Sequence, residues 1–188
     1  MNCAENKGKL IVISGPSGVG KSTLLHRLFQ QYPDNVSFSV SYTSRSPRIG
    51  ENHGTDYYFI DEETFKNKIN NNDFLEWACV HGNYYGTGKA EVEKILHSGK
   101  HCILDIDVQG ADSVRRSGIP AMFLFIAPKN IETLRYRLEK RGTESEETIA
   151  KRLKNAVGEL AQKDKYDQVI INKDLDVAYK ELQKYIFG

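Results

Sequence analysis

Gly15-Pro16-Ser17-Gly18-Val19-Gly20-Lys21-Ser22 fits the pattern G-x-x-x-x-G-K-[ST] at every fixed position. This P-loop stretch lies between an apolar run, Leu10 to Ile13, and a helix-like segment, Thr23 to Gln31. Its glycines let the backbone turn so tightly that successive N–H groups point at one phosphate chain, while Lys21 reaches the outer phosphates and the Ser22 hydroxyl faces Mg²⁺. Because the helix N-terminus also favours an anion, the stretch predicts a nucleotide-phosphate site.

Length, charge and cysteine content limit the classes of protein that fit. The chain has 188 residues, which suits one domain with a small insertion, and its formal net charge of +1 gives no footprint for nucleic acid or a membrane surface. Cys3, Cys79 and Cys102 form no C-x-x-C pair, so neither a disulfide framework nor a zinc site is supported. Met1 to Lys9 contains no apolar stretch that could act as a signal or membrane span. We expect a cytoplasmic protein with small-molecule partners and no obligate protein partner.

Apolar runs typical of buried strands alternate with helical patterns along most of the chain. This order predicts an α/β fold with a doubly wound, mainly parallel sheet flanked by helices, and ligands at the carboxyl ends of the strands. The predicted buried strands are Leu10 to Ser14, Cys102 to Asp107, Met122 to Ile126 and Gln168 to Asn172.

The pattern changes between Val36 and Gly88, where short β-prone segments alternate with Gly, Pro, Asn and His. We interpret this region as a small, mostly antiparallel insertion containing one helix that Asp61 caps. Its predicted strands are Phe38 to Thr43, Asp56 to Ile60, Phe74 to Val80 and Tyr84 to Thr87.

Three features outside the P-loop carry chemistry. Asp105 ends an apolar strand, where nucleoside triphosphatases place the carboxylate that organises Mg²⁺, although it could instead cap the next helix. Arg45 and Arg48 flank Pro47, and guanidinium groups suit bidentate capture of phosphate, although such a pair could also be a solvated edge. Glu76 interrupts an apolar strand, which is also what simple alternation toward water would give.

Taken together, the motifs resemble the guanylate kinase family from about residue 8 to the end of the chain. The motifs that carry this resemblance are G-P-S-G-V-G-K-S-T, S-Y-T-S-R-S-P-R, G-x-D-Y-Y-F, F-L-E-W-A, G-N-Y-Y-G-T, I-L-D-I-D-V-Q-G, F-I-A-P and R-L-x-x-R-G-T-E. The resemblance implies a P-loop nucleoside monophosphate kinase fold in a single domain, 1–188. It divides into a core (8–36, 89–134 and 160–188), a mixed α+β GMP-binding insertion (about 37–88) and a helical lid (about 135–159).

The resemblance also implies an activity, the transfer of the γ-phosphoryl group of Mg-ATP to GMP, giving ADP and GDP in purine nucleotide metabolism. ATP would be held by Gly15, Pro16, Ser17, Gly18, Val19, Gly20, Lys21, Ser22 and Thr23, with Asn172 facing adenine. Ser22 and Asp105 would organise Mg²⁺, the latter directly or through water. The GMP phosphate would be held by Arg45, Arg48, Tyr57 and Tyr85, and guanine by Ser41, Glu76 and Asp107, with Thr87 helping where many family members have Ser. The catalytic cations would be Lys21 and Arg45, joined on lid closure by Arg137, Arg141 and Arg152.

Other interpretations of the same residues remain open from the sequence. The lid arginines could be ordinary helix-surface charges paired with Glu139 or Glu144. Guanylate-kinase-like scaffold domains have lost catalysis and bind phosphorylated peptides, but they typically have a degraded P-loop, whereas Lys21, Ser22 and Asp105 are present here. A P-loop phosphotransferase for another acceptor would leave the paired arginines and Glu76 unexplained.

Overall fold

A computed structural model describes residues 7–80, 82–140 and 145–188. Strands and helices alternate through most of this part of the chain. The strands are β1 (Leu10–Ser14), β2 (Val36–Phe38), β3 (Tyr42–Thr43), β4 (Tyr58–Phe59), β5 (Phe74–Val80), β6 (Asn83–Gly88), β7 (His101–Asp105), β8 (Ala121–Ala127) and β9 (Gln168–Ile171). The helices are α1 (Lys21–Gln31), α2 (Glu62–Asn70), α3 (Lys89–His97), α4 (Val108–Arg116), α5 (Ile131–Lys140), α6 (Glu146–Leu160) and α7 (Leu175–Phe187).

The larger sheet contains five strands in the order β2-β7-β1-β8-β9. Strand β2 pairs in parallel with β7, and β8 pairs in parallel with β9. All five residues of β1 are buried, as expected for a central parallel strand covered on both faces. The predicted α/β architecture, a parallel sheet flanked by helices, is therefore confirmed.

The smaller sheet has the order β4-β3-β6-β5 and is mixed. Strand β6 is antiparallel to both β3 and β5, as predicted for the insertion, whereas β3 and β4 are parallel. Helix α2 begins where the Asp61 side chain accepts a hydrogen bond from the Thr64 N–H at 2.7 Å. It packs the fully buried Phe65 against Phe74 of the sheet, with ring centroids 4.5 Å apart.

The structure divides one predicted strand between the two sheets and ends another before a predicted site residue. The single strand predicted from Phe38 to Thr43 is wrong, because Phe38 ends β2 in the larger sheet and Thr43 ends β3 in the smaller one. Residue preferences report strand character but do not reveal which partner strand supplies the hydrogen bonds. The strand predicted to run to Asp107 ends at Asp105, so Asp107 lies in the connection before α4.

The chain divides into two compact units. The first contains the smaller sheet, α2, α3 and most of α4, together with β2 and most of β7. The second contains the P-loop, α1, α5, α6, α7 and strand β9. The first comprises Asp34–Leu104 and Gln109–Ala121 with the described residues up to Leu10, and the second comprises Ile11–Pro33, Asp105–Val108 and Met122–Gly188.

Candidate active site

The P-loop depends on glycine at the two ends of its turn. Gly15 has φ 148° and Gly20 has φ 103°, values that residues other than glycine rarely adopt. A Cβ atom on Gly15 would lie 2.1 Å from the carbonyl oxygen of Ile126 in β8, so the loop approaches the sheet too closely for any side chain. Glycine at these two positions therefore permits the tight turn that the G-x-x-x-x-G-K-[ST] pattern predicts.

Helix α1 begins at Lys21, directly after the loop. Its N-cap residue is Gly20, and no side chain of the described residues caps it by hydrogen bonding. The first N–H groups of a helix have no partner within the helix, and together they carry a partial positive charge. The N-terminus of α1 is therefore suited to an anion.

A cavity of about 330 Å³ opens beside the loop within the second unit. Of the predicted ATP-binding residues, all except Val19 and Asn172 line this cavity. The ammonium of Lys21 donates a hydrogen bond to the Gly15 carbonyl and lies 3.9 Å from a carboxylate oxygen of Asp105. Burial raises the pKa of Asp105 above its ordinary value, while the Lys21 charge acts in the opposite direction. The cavity thus brings the cation of Lys21 and the carboxyl group of Asp105 together beside a loop whose form suits phosphate.

The residues beside Lys21 fit a magnesium ion that is held largely by phosphate and water. Asp105, whose side chain is 31% exposed, and Ser22 both line the cavity and both offer oxygen ligands. Among the described residues, no group of three or more His, Cys, Asp or Glu side chains lies close enough to hold a metal ion unaided. Mg²⁺ typically keeps several waters and takes one or two protein ligands together with substrate phosphates, so this donor set suits it.

Arg137 and Asn172 support the loop from behind. The Arg137 guanidinium donates to the Val19 carbonyl at 2.7 Å and to the Asn172 carbonyl at 3.0 Å. The side-chain amide of Asn172 also donates to the Val19 carbonyl, at 2.8 Å, and the residue is only 2% exposed. Contact of Asn172 with adenine stays a prediction; in this structure its amide supports the loop.

The predicted lid also contributes Arg152, whose guanidinium donates to the Ser17 hydroxyl of the P-loop at 2.9 Å. Helices α5 and α6 pack together through the buried Leu134, Leu138 and Ile149. Of the three arginines predicted to act on lid closure, Arg137 therefore contacts the P-loop backbone and Arg152 contacts a P-loop side chain. Arg141 lies outside the described residues, so its role stays a prediction.

Glu159 of α6 lines the same cavity and was missed from the sequence. Burial raises the pKa of its carboxyl, the Lys21 charge lowers it and the Asp107 charge raises it. Helical spacing in the sequence could have identified Glu159, because Arg152, Ala156 and Glu159 follow one another at intervals of four and three residues along one helix face. Placing Arg152 at the P-loop therefore also brings Glu159 toward it.

The predicted acceptor-phosphate residues cluster in the first unit. The Arg45 guanidinium carbon lies 5.7 Å from the centre of the Tyr57 ring, and the rings of Tyr57 and Tyr85 are 6.0 Å apart. Hydrogen bonds to Glu51 first and then to Tyr85 hold the pKa of Arg45 above its ordinary value, against the effect of burial. Arg48 joins this cluster through its backbone N–H, which donates to Glu51 at 2.7 Å.

The predicted guanine-reading residues are divided between the two units. Glu76 of β5 and Thr87 of β6 are directly opposite one another, and the Thr87 hydroxyl donates to the Glu76 carboxylate at 2.5 Å. Thr87 is 1% exposed, so its buried hydroxyl fixes the direction of the Glu76 side chain. Ser41 belongs to the same unit, where its carbonyl accepts from the Tyr58 N–H at 2.8 Å, whereas Asp107 lines the P-loop cavity of the second unit.

Comparison with known proteins relates the chain to one family over nearly its whole length. A family model described as guanylate kinase matches residues 7–188. The chain belongs to the guanylate kinase family. The family resemblance drawn from the sequence motifs is thereby confirmed.

Individual relatives extend over nearly the whole chain. Guanylate kinase 1 of Oryza sativa subsp. japonica is 49% identical over 181 residues, which are 95% of this chain and 47% of that protein. The guanylate kinase of Clostridium perfringens (strain ATCC 13124) is 45% identical over 184 residues, covering 98% of this chain and 85% of that protein. The crystal structure of guanylate kinase from Anaplasma phagocytophilum is 31% identical with a TM-score of 0.67, covering 97% of this chain and 88% of the other. The chain spans about half the length of its Oryza relative and most of the clostridial one.

Proposed function

We propose that the chain transfers the γ-phosphoryl group of Mg-ATP to GMP, giving ADP and GDP, as a step of purine nucleotide metabolism. The observation that carries the proposal is that two separate clusters of residues suit phosphate and differ in construction. One is the P-loop cavity with Lys21 and Asp105, and the other is the clamp formed by Arg45, Tyr57 and Tyr85. A nucleotide hydrolase or switch needs only the first, whereas a nucleotide kinase needs a second site for its acceptor.

The P-loop cavity would hold the donor. Backbone N–H groups at the start of α1 would bind the phosphates, and the Lys21 ammonium would leave the Gly15 carbonyl to contact the outer phosphate oxygens. Ser22 and Asp105 would hold Mg²⁺, which when bound would neutralise negative charge on the phosphates. The Arg137 and Asn172 contacts keep the loop in shape while the donor binds.

The first unit would hold the acceptor. Arg45 and Arg48 would bind the GMP phosphate with help from the hydroxyls of Tyr57 and Tyr85. Glu76, directed by Thr87, would accept hydrogen bonds from the N–H groups on the Watson-Crick edge of guanine, and Ser41 and Asp107 would complete this recognition. Adenine would place an unprotonated ring nitrogen against a carboxylate, and a site built for hydrogen bonds rejects such an analogue by a factor of about 10⁴ or more.

Chemistry at this site would require alignment and cations rather than a general base, because the attacking oxygen of GMP already belongs to an ionised phosphate. Two unit negative charges about 4 Å apart repel each other by about 4 kcal/mol at an effective dielectric constant of 20. Lys21 would offset this repulsion on the donor side and Arg45 on the acceptor side. Arg152, whose guanidinium already donates a hydrogen bond to the Ser17 hydroxyl, would stabilise the transferring phosphoryl group in the manner of an arginine finger supplied in cis.

The partners would be the two nucleotides alone, in the cytoplasmic compartment that the sequence predicts. The near-neutral formal charge of +1 supports small-molecule substrates rather than nucleic acid. None of the described helices is both long and apolar enough to cross a bilayer.

A coupled assay of ADP formation tests the proposal. The chain with Mg-ATP should form ADP rapidly on addition of GMP and slowly without it. Lys21→Ala should lower the turnover number by about 10²-fold or more, because it removes a cation at the transferring phosphoryl group. Rapid ADP formation that does not depend on GMP would indicate a hydrolase and contradict the proposal.

A further inference from the structure

Glu51 lies between the two arginines of the proposed acceptor-phosphate clamp. Both of its carboxylate oxygens are 2.9 Å from one terminal nitrogen of Arg45, and one of them also accepts the backbone N–H of Arg48 at 2.7 Å. The side chains of Arg45 and Glu51 are only 14% and 20% exposed. The sequence motifs gave this carboxylate no role.

The surroundings of Glu51 favour its charged form. The Arg48 backbone N–H first, and then the Arg45 side chain, lower the pKa of Glu51 below its ordinary value, although burial opposes them. A carboxylate drawn out of water keeps its charge where charge-assisted hydrogen bonds replace its hydration. Glu51 is therefore an ionised partner of the clamp at neutral pH.

The carboxylate fixes the direction of the Arg45 guanidinium. One terminal nitrogen of Arg45 donates to the Ser46 carbonyl at 2.7 Å, while the other donates to Glu51. The guanidinium is thus held from two sides, beside the ring of Tyr57. Since a guanidinium carries five N–H donors, these contacts do not exhaust its capacity to bind a phosphate.

We propose that Glu51 is a positioning residue for the acceptor phosphate, holding the Arg45 guanidinium and the Arg48 backbone in their binding arrangement before GMP arrives. The inference rests on the proposed function, since it assigns a GMP phosphate to Arg45. The inference also predicts the direction in which GMP affinity changes when Glu51 loses its charge. A carboxylate near a phosphate repels it, so charge alone predicts tighter GMP binding without Glu51, whereas positioning predicts weaker binding.

Equilibrium binding of GMP and of guanosine to the full chain, in the absence of ATP, distinguishes these effects. Glu51→Gln keeps the shape of the side chain but removes its charge. We expect this variant to bind GMP about tenfold more weakly than the unaltered chain, because a hydrogen bond to a charged group is lost at the guanidinium. Guanosine lacks the phosphate, so its affinity should stay unchanged. A purely structural defect would weaken both ligands together.

Glu139→Gln is the matched control. Glu139 pairs with Arg135 on the surface of α5 in the second unit, where both side chains are about half exposed, so this variant should bind GMP normally. If Glu51→Gln lowers the melting temperature below that of the assay, Glu51→Asp replaces it, because the shorter side chain keeps the charge but withdraws it from Arg45. That variant should give the same loss for GMP alone.

The outcomes separate the inference from the function on which it rests. GMP binding by Glu51→Gln that equals or exceeds that of the unaltered chain would overturn the positioning role, as would equal losses for GMP and guanosine. Failure of the unaltered chain to bind GMP would instead refute the proposed function.

Discussion

Replacing Gly20 by alanine should destabilise the P-loop through one identifiable atom. Gly20 has φ 103°, and a Cβ atom there would lie 2.5 Å from the side-chain nitrogen of Asn172. The next nearest atoms are 3.8 Å and 3.9 Å away, so only the Asn172 nitrogen obstructs the new methyl group. We expect Gly20→Ala to lower the free energy of unfolding by about 2–3 kcal/mol.

Two contributions make up this magnitude. A left-handed backbone conformation costs a residue with a Cβ atom about 1–2 kcal/mol. Asn172 is 2% exposed and cannot turn into solvent, so moving it breaks its 2.8 Å hydrogen bond to the Val19 carbonyl, which costs about 1 kcal/mol more. Gly118→Ala isolates the first contribution, because Gly118 has φ 73° and a Cβ atom there would meet nothing within 4 Å.

Urea unfolding followed by circular dichroism measures both effects. Gly118→Ala should lose about 1–2 kcal/mol, and Gly20→Ala about 1 kcal/mol more than that. Asn172→Ala removes the obstructing atom, so the double variant Gly20→Ala/Asn172→Ala should be about 1 kcal/mol more stable than the sum of the single losses predicts. Strict additivity would refute the idea that Asn172 supports the loop, as would equal losses for the two glycine variants.

Three further predictions concern the lid, the base site and the first turn of α2. Arg152→Ala should lower the turnover number by about 10²-fold or more, whereas Arg135→Ala on the exposed face of α5 should leave it unchanged, in the same steady-state assay. Thr87→Val should lower the preference for GMP over AMP by about tenfold, because Glu76 loses its fixed direction, while Thr87→Ser should keep that preference. A backbone N–H of the first turn lowers the pKa of Asp61. The stabilisation that this ionised cap gives should therefore be complete above about pH 4 and be lost as the pH falls further, so the stability difference from Asp61→Asn, followed by urea unfolding, should shrink over that range.

The sequence predicted most elements of the fold because their patterns are local. The apolar run before the P-loop, the helix-like segment after it and the capping residue Asp61 each determine structure within a few residues. The predicted strand from Phe38 to Thr43 was wrong because two β-prone segments that lie close in sequence pair with different sheets. Which strand partners another depends on contacts distant in sequence, and residue preferences do not carry them.

The residues of the candidate site likewise divide into those that the sequence could identify and those that only the fold reveals. The motif pattern identified residues that would touch phosphate, such as Lys21 and Arg45, since their chemistry is specific to an anion. The residues that hold them were harder to find. Glu51 acts on Arg45 through a turn, and Asn172 reaches Val19 across 153 positions of sequence. A glutamate or asparagine at such a position looks like any other polar residue until the fold brings its partner close.

The ratio of kcat/KM for GMP to that for AMP tests the central claim of guanine-specific phosphoryl transfer most directly. The coupled assay with Mg-ATP, run with each acceptor in turn and with CMP and UMP beside them, provides this ratio. We predict a value of about 10⁴ or more in favour of GMP, because the carboxylate of Glu76 complements guanine and not adenine. Comparable kcat/KM values for GMP and AMP would contradict the account.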